Sequence, residues 1–203
     1  MKKIGLYGGT FDPIHLGHMN LASELMKKKG LDEVWFIPAK INPHKSHLHV
    51  TSFEHRVRML QLALQEIPQF KINQIEKDLP SPSYTIHTLQ AIFDEAKKKN
   101  YEHEYYLLLG EDVIPSFPQW YRAGEIIKLI PLLIGTREGS LSLKEDKSED
   151  FLAIKRAIEE GMVATSIMDI SSVNVRDRIS SHLCCDHLVP IKVLDYALKN
   201  QLY

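Results

Sequence analysis

The feature that most constrains the fold is the alternation of short apolar runs with longer amphipathic segments along most of the chain. Strand-like runs occupy residues 4–7, 33–37, 70–75, 105–109, 132–135 and 162–167. Helix-like segments follow at 17–29, 53–66, 85–98, 121–129 and 152–159, with two more at 173–180 and 191–202. Strand followed by helix, repeated, predicts right-handed crossovers and a parallel sheet covered on both faces. Because 203 residues are few for an eight-stranded barrel, we expect an open doubly wound, Rossmann-like α/β sheet.

The charge balance limits the partners of such a fold. The chain carries 25 Lys plus Arg against 26 Asp plus Glu, for a net charge of -1. No basic stripe with interleaved aromatic residues is present in the sequence, so we expect no nucleic-acid partner. An anionic ligand must therefore be bound by a local arrangement of donors.

Apolar runs and cysteines bear on localisation. The longest apolar run, residues 129–134, is six residues long and contains Pro131, whereas a membrane span needs ~20. Residues 2–12 contain no apolar stretch typical of a secretory signal. Cys184 and Cys185 are neighbours and poorly placed for an ordinary disulfide. We expect a soluble, cytoplasmic protein with no membrane partner, and the sequence leaves open whether it forms a homo-oligomer.

The loop after the first strand has the sequence GGTFDPIHLGH, residues 8–18. Two glycines directly after a strand allow a sharp turn and the close approach of another group. The following helix directs its first amides toward the same space, as in phosphate sites, and His15 and His18 project from one side of its start. An ordinary turn, a surface or core histidine, and half of a metal site are the alternatives for these residues.

A second candidate anion site lies at residues 169–176, DISSVNVR. Ser171 and Ser172 stand at the start of a predicted helix, where serine commonly caps free amides. Arg176 falls about one turn into that helix and could direct its guanidinium toward an anion at the helix start. An ordinary helix cap is the alternative.

Both segments resemble motifs of the nucleotidyltransferase superfamily. Residues 8–18 are similar to its HxGH signature, and residues 169–176 are similar to its ISSTxxR motif, with Val173 in place of Thr. Four further segments resemble the nicotinate-nucleotide adenylyltransferases within it: NPHK at 42–45, SYTIHTL at 83–89, GED at 110–112 and WYR at 120–122. Departures from that pattern are Ala39 in place of Asn, Asn42 in place of Pro, and Val173.

The resemblance implies a reaction and a set of site residues. It implies adenylyl transfer from ATP to nicotinate mononucleotide, giving nicotinate adenine dinucleotide and pyrophosphate, with Mg²⁺ on the triphosphate and no metal ligands from the protein. It assigns catalysis to His15, His18, Lys45 and Arg176. It assigns ATP binding to Gly8, Gly9, Thr10, Phe11, His15, His18, Ser171, Ser172 and Arg176, and substrate binding to Thr85, Asp112, Trp120 and Tyr121.

Several alternatives stay open. Trp120 could be a core residue, Thr85 a helix cap and Asp112 the cap of a turn. The chain could instead be a nicotinamide-mononucleotide, phosphopantetheine or cytidylyl transferase of the same superfamily. It could also be a regulatory module that binds nucleotide without turnover. We expect residues 1–203 to form a single nucleotidyltransferase domain, with a helical C-terminal portion from about residue 171.

Overall fold

The computed structural model describes residues 1–41, 50–137, 148–166 and 168–203. Six strands form one parallel sheet in the order β3-β2-β1-β4-β5-β6, which confirms the predicted doubly wound α/β fold. The strands are β1 (Lys2–Gly9), β2 (Glu33–Pro38), β3 (Phe70–Ile72), β4 (His103–Gly110), β5 (Leu132–Thr136) and β6 (Met162–Ala164). The helices are α1 (Leu16–Lys29), α2 (Phe53–Leu64), α3 (Thr85–Lys98), α4 (Ala123–Leu129), α5 (Glu149–Gly161), α6 (Ser172–Ser180) and α7 (Ile191–Lys199).

Successive residues of the central strands supply two different cores. Leu107 and Leu109 of β4 pack with α3, α4 and α5 on one face. Leu108 packs with α1, α2 and α7 on the other. Side chains alternate across a strand, so both faces of the sheet are apolar and covered by helices. A smaller cluster joins α6 to α7 and includes Cys185.

The strand order places a topological switch point between β1 and β4. From β1 the chain moves outward through β2 and β3, and it then returns to pair β4 with the other edge of β1. Ligands of open α/β sheets bind outside the carboxyl ends of strands at such a point. The GGTFD turn after β1 and Asp112 after β4 flank it.

The elements differ from the sequence-based bounds mainly at their ends. Strand β3 stops at Ile72, and residues 75–77 form a 3-10 turn that buries Glu76. Helix α7 ends at Lys199, before residue 202. Helix α5 begins at Glu149, where the Ser148 side chain accepts a hydrogen bond from the Phe151 amide. Within the described part of the chain, no helix is long and apolar enough to cross a membrane.

Candidate active site

The turn after β1 is closely packed on one side and open on the other. A Cβ on Gly9 would lie 2.8 Å from the ring of Phe11, whose own φ is 51°. A Cβ on Gly8 would meet nothing within 4 Å. The amide of Ala39, at the end of β2, donates to the Gly9 carbonyl at 2.8 Å. The open space beside Gly8 therefore lies at the switch point, where a ligand can approach the backbone.

The two histidines cap α1 reciprocally. The Nδ1 of His15 accepts from the backbone amide of His18 at 3.3 Å, and the Nδ1 of His18 accepts from the amide of His15 at 3.2 Å. Their rings stack with centroids 3.6 Å apart. Since each Nδ1 accepts, the proton of each neutral imidazole lies on Nε2. The helix start thus presents two ring N–H donors side by side.

Burial and packing hold this pair in place. Burial lowers the pKa of His15 to about 4, so His15 stays neutral at pH 7. A Cβ on Gly17 would lie 3.1 Å from the Nδ1 of His15, which gives that glycine a steric role. The ring of Phe11 meets the ring of His18 edge-on at 5.1 Å. Because Phe11 is 1% exposed, its contact to a nucleotide would come from its backbone.

Helix α6 binds back to the same turn. The Ser172 hydroxyl donates to the Pro13 carbonyl at 3.0 Å, and Nη1 of Arg176 donates to the Asp12 carbonyl at 2.7 Å. The Ser171 hydroxyl accepts from the Asn174 amide at 3.1 Å and is thus the cap that its position predicts. Val173, where the motif has Thr, is exposed. The structure thus brings Ser172 and Arg176 to the turn that ends in the histidine pair.

A buried arginine that the sequence did not suggest binds the backbone of the turn after β1. Arg56 of α2 is 2% exposed. Its guanidinium donates to the carbonyls of Thr51 at 2.9 Å, Thr10 at 2.7 Å and Lys40 at 3.4 Å. Burial lowers the pKa of Arg56, and the nearby Asp12 carboxylate opposes that shift. Its position on the buried face of α2, one turn before Leu60, was the signal that could have identified it.

The second group of predicted residues gathers around the start of α3. The Ser83 hydroxyl accepts from the amides of Lys40 at 3.0 Å and Ile41 at 3.1 Å. Glu76, which the sequence also did not suggest, accepts from the Lys40 amide at 3.1 Å and from the Thr88 hydroxyl at 2.7 Å. Together with the bond from the Ala39 amide to the Gly9 carbonyl, these bonds fix residues 39–41, which follow β2.

Aromatic rings lie beside this segment. The ring of Tyr121 packs on that of Tyr84, with centroids 4.6 Å apart, and on that of His87 at 5.8 Å. Tyr84 is the N-cap of α3, without a hydrogen bond from its side chain, so Thr85 is the first helical residue rather than the cap. Trp120 packs on Phe117 at 5.0 Å and on the core of this face. Thr85 and Tyr121 therefore lie together, whereas Trp120 is partly a core residue.

Asp112 lies directly beyond β4. It belongs to a 3-10 turn at Glu111–Val113 and is exposed. A Cβ on Gly110 would collide with its carboxylate, so the glycine makes room for the aspartate. Burial and then the charge of Asp112 raise the pKa of Tyr7, which places the carboxylate within electrostatic reach of the end of β1.

Lys45 and the rest of the predicted 42–45 loop lie outside the described residues. Among the residues that are described, one group could hold a metal through mixed donors, namely Cys184, Asp186 and His187, all exposed. Asp12 lies within residues 8–18, the turn after β1 that ends in His15 and His18 and that we call the histidine turn. Its carboxylate oxygens accept hydrogen bonds from the Thr51 amide and the Tyr203 hydroxyl.

Comparisons with known proteins show the family and the fold of the chain. The family model of cytidylyltransferase-like proteins matches residues 6–178. Nicotinate-nucleotide adenylyltransferase of Bacillus subtilis is 36% identical over 203 residues, covering 100% of this chain and 99% of the relative. A probable nicotinate-nucleotide adenylyltransferase of Carboxydothermus hydrogenoformans is 38% identical over 202 residues, covering 99% and 98%. The structure of Plasmodium falciparum nicotinic acid mononucleotide adenylyltransferase complexed with NaAD has a similar fold, with a TM-score of 0.73, 20% identity and coverage of 100% and 98%.

Proposed function

Since the chain belongs to the nicotinate-nucleotide adenylyltransferases of the cytidylyltransferase-like family, we propose that it transfers the adenylyl group of ATP to nicotinate mononucleotide. The products are nicotinate adenine dinucleotide and pyrophosphate. The family resemblance inferred from the motifs is confirmed by these matches. The observation that carries the proposal is the reciprocal cap of His15 and His18 near the switch point, in which both Nδ1 atoms accept from backbone amides and Nε2 is left as the N–H donor of each stacked ring.

In the proposed reaction, the phosphate of the mononucleotide attacks the α-phosphorus of ATP in line. An ionised phosphate is already nucleophilic, so the protein supplies alignment and charge stabilisation more than a general base. The Nε2–H groups of His15 and His18 donate to the phosphates as negative charge builds up. Ser171, Ser172 and Arg176 hold the leaving pyrophosphate, and Lys45 neutralises negative charge on the phosphates.

The adenylyl group would occupy the open space beside Gly8. Gly8 and Gly9 allow the nucleotide to approach the backbone, and Thr10 and Phe11 shape the turn beneath it. The mononucleotide would lie toward α3, where the free carboxylate of its ring needs donors. Helix α3 has no side-chain cap, so the backbone amide of Thr85 suits that role together with the amide of Tyr121. Asp112 would accept from ribose hydroxyls, and Trp120 would contribute an aromatic surface.

Mg²⁺ would be held chiefly by phosphate oxygens and water, and when bound it would offset the negative charge of the triphosphate. The donors at this site fit that assignment, because Asp12 already accepts two hydrogen bonds. No protein cage is required of the described residues. We further propose that residues 1–203 act as a single nucleotidyltransferase domain, in which the portion from about residue 171 supplies the pyrophosphate contacts.

The test is pyrophosphate release from Mg-ATP, with nicotinate mononucleotide and nicotinamide mononucleotide supplied separately at matched concentrations. We expect turnover with the acid and a strong preference for it. A His18→Ala variant should lose about 10²-fold in kcat, or about 2.7 kcal/mol of transition-state stabilisation. Absence of pyrophosphate release with either mononucleotide would contradict the proposal, and comparable use of both would contradict its specificity for the acid.

A further inference from the structure

The four residues that follow α7, residues 200–203, fold back toward the active site, and we refer to them as the α7 tail. The amide of Leu202 donates to the Ala197 carbonyl at 3.1 Å, with Gln201 at a φ of 52°. Leu202 and Tyr203 pack against both the core beneath α2 and the smaller cluster between α6 and α7. The tail is therefore wedged between the helix that carries Arg56 and the helix that carries Arg176.

The hydroxyl of Tyr203 binds a buried carboxylate of the histidine turn. It donates to Oδ1 of Asp12 at 2.7 Å, while the amide of Thr51 donates to Oδ2 at 3.1 Å. Asp12 is 4% exposed, and a carboxylate so far from water depends on the donors around it. Removing the Tyr203 hydroxyl would leave this carboxylate short of a donor and would favour a shift of the Asp12 backbone.

The backbone at Asp12 is where α6 is bound. The Asp12 carbonyl accepts from Arg176, and the next carbonyl, that of Pro13, accepts from Ser172. Displacing the Asp12 peptide moves both acceptors and thus alters the placement of the two side chains. A misplacement of about 1 Å in such a site can cost up to 10²-fold in rate.

We propose that Tyr203 is a positioning residue for the triphosphate end of the site, acting through Asp12 on Arg176 and Ser172. It touches neither substrate nor the reacting atoms. The inference rests on the proposed function for the identity of the bound anion. The hydrogen bonds that link Tyr203, Asp12, Arg176 and Ser172 to the turn are formed by the protein itself, without a ligand.

Tyr196 provides a matched control. It is a half-buried tyrosine of α7 in contact with the same core. Its hydroxyl also has a side-chain partner, Nδ1 of His55 at 2.8 Å. Tyr196→Phe and Tyr203→Phe therefore remove the same atom from the same part of the fold, and only the second removes a bond to the histidine turn.

The experiment compares the native protein with these two variants at a temperature well below the unfolding temperature of each. The dissociation constant of Mg-ATP is measured by calorimetry without mononucleotide, and kcat and both KM values are measured by pyrophosphate release. We expect Tyr203→Phe to weaken Mg-ATP binding and to lower kcat/KM for ATP by roughly tenfold. The KM for nicotinate mononucleotide should be unchanged, because the hydrogen bonds of Asp12 among the described residues run to Thr51, Tyr203 and Arg176 and not to the start of α3.

A purely structural role gives a different result, namely a lower unfolding temperature for both variants with unaltered ATP constants. Equal Mg-ATP dissociation constants for Tyr203→Phe and Tyr196→Phe would overturn the inference. The same outcome would leave the proposed function intact if native protein still released pyrophosphate. Conversely, a native protein inactive on nicotinate mononucleotide would refute the proposed function, while the ratio of Mg-ATP dissociation constants would still test the role of Tyr203.

Discussion

Replacement of Arg56 by Met should strongly destabilise the protein. The substitution keeps an apolar stem of similar length but removes the donors to the carbonyls of Thr51 and Thr10, at 2.9 and 2.7 Å, and the longer bond to Lys40. A buried acceptor left without its donor costs about 1–3 kcal/mol. Counting the two short bonds, and the loss of a cation near buried Asp12, we expect about 3–5 kcal/mol less free energy of unfolding.

The assay is urea unfolding followed by circular dichroism, in which a lower midpoint with an unchanged slope reports a loss of stability. For a chain of this size each kcal/mol shifts the unfolding temperature by roughly 2–4 °C. Arg58→Met on the same helix is the control, since Arg58 is exposed and its guanidinium donates to the Gln61 side chain at 3.2 Å. Such surface changes stay within about 0.5 kcal/mol. If the two variants unfolded within about 1 kcal/mol of each other, the support assigned to Arg56 would be refuted.

Three further predictions concern the site itself. Gly17→Ala would press a Cβ against the His15 ring, 3.1 Å from Nδ1, and should lower kcat for pyrophosphate release by roughly tenfold; an unchanged kcat would contradict the steric role. Burial holds the pKa of His15 at about 4, below its value of about 6.5 in the unfolded chain, so the unfolded chain takes up a proton first as the pH falls. The free energy of unfolding, measured with urea, should therefore decline from pH 6.5 toward pH 4. His15→Asn retains a capping acceptor but does not titrate, so its free energy of unfolding should decline less over the same range. Equal declines in the two proteins would exclude His15 as the source of the pH dependence. Trp120→Ala should raise the KM for nicotinate mononucleotide more than that for ATP, and an equal rise in both would place Trp120 outside the ring site.

Much of the fold was predictable because its signals are local. The alternation of strand and helix periods gave the parallel sheet and its two covered faces, and helix α3 begins and ends where the pattern predicted it, at Thr85 and Lys98. Strand β3 is shorter than the predicted strand, since it ends at Ile72 and is followed by the 3-10 turn at Ile75–Lys77, in which the buried Glu76 accepts a hydrogen bond from Thr88. That contact joins residues in two elements, so no window of sequence around residue 75 could reveal it.

The residues of the candidate site also divide into those with a local sequence signal and those whose role depends on distant contacts. The GGTFD turn, the histidine pair and the serines of α6 were marked as candidates by local features, since a glycine turn and a helix cap each involve only a few neighbouring residues. Their assignment to ATP came from the resemblance to the nucleotidyltransferases. The sequence marked Trp120 as a stacking surface but could not say how much of it the core of that face covers. Arg56 and Glu76 were not identified, and Tyr203 was noted only in a C-terminal segment that resembles the family, without a partner or a role, because the main partners of all three are distant in the chain.

The sequence by itself predicted the sheet, the glycine turn after β1 and the serine cap of α6, because periodicity, glycines and helix caps are expressed within a few residues. The reaction class followed from the resemblance of its motifs to a known family. Only the tertiary structure decided how those residues are held. The bond from Arg176 to Asp12 spans 164 positions and the bond from Tyr203 to Asp12 spans 191. Such partners meet only after the crossovers have closed around β1, and the burial that gives each bond its strength is a property of the folded protein.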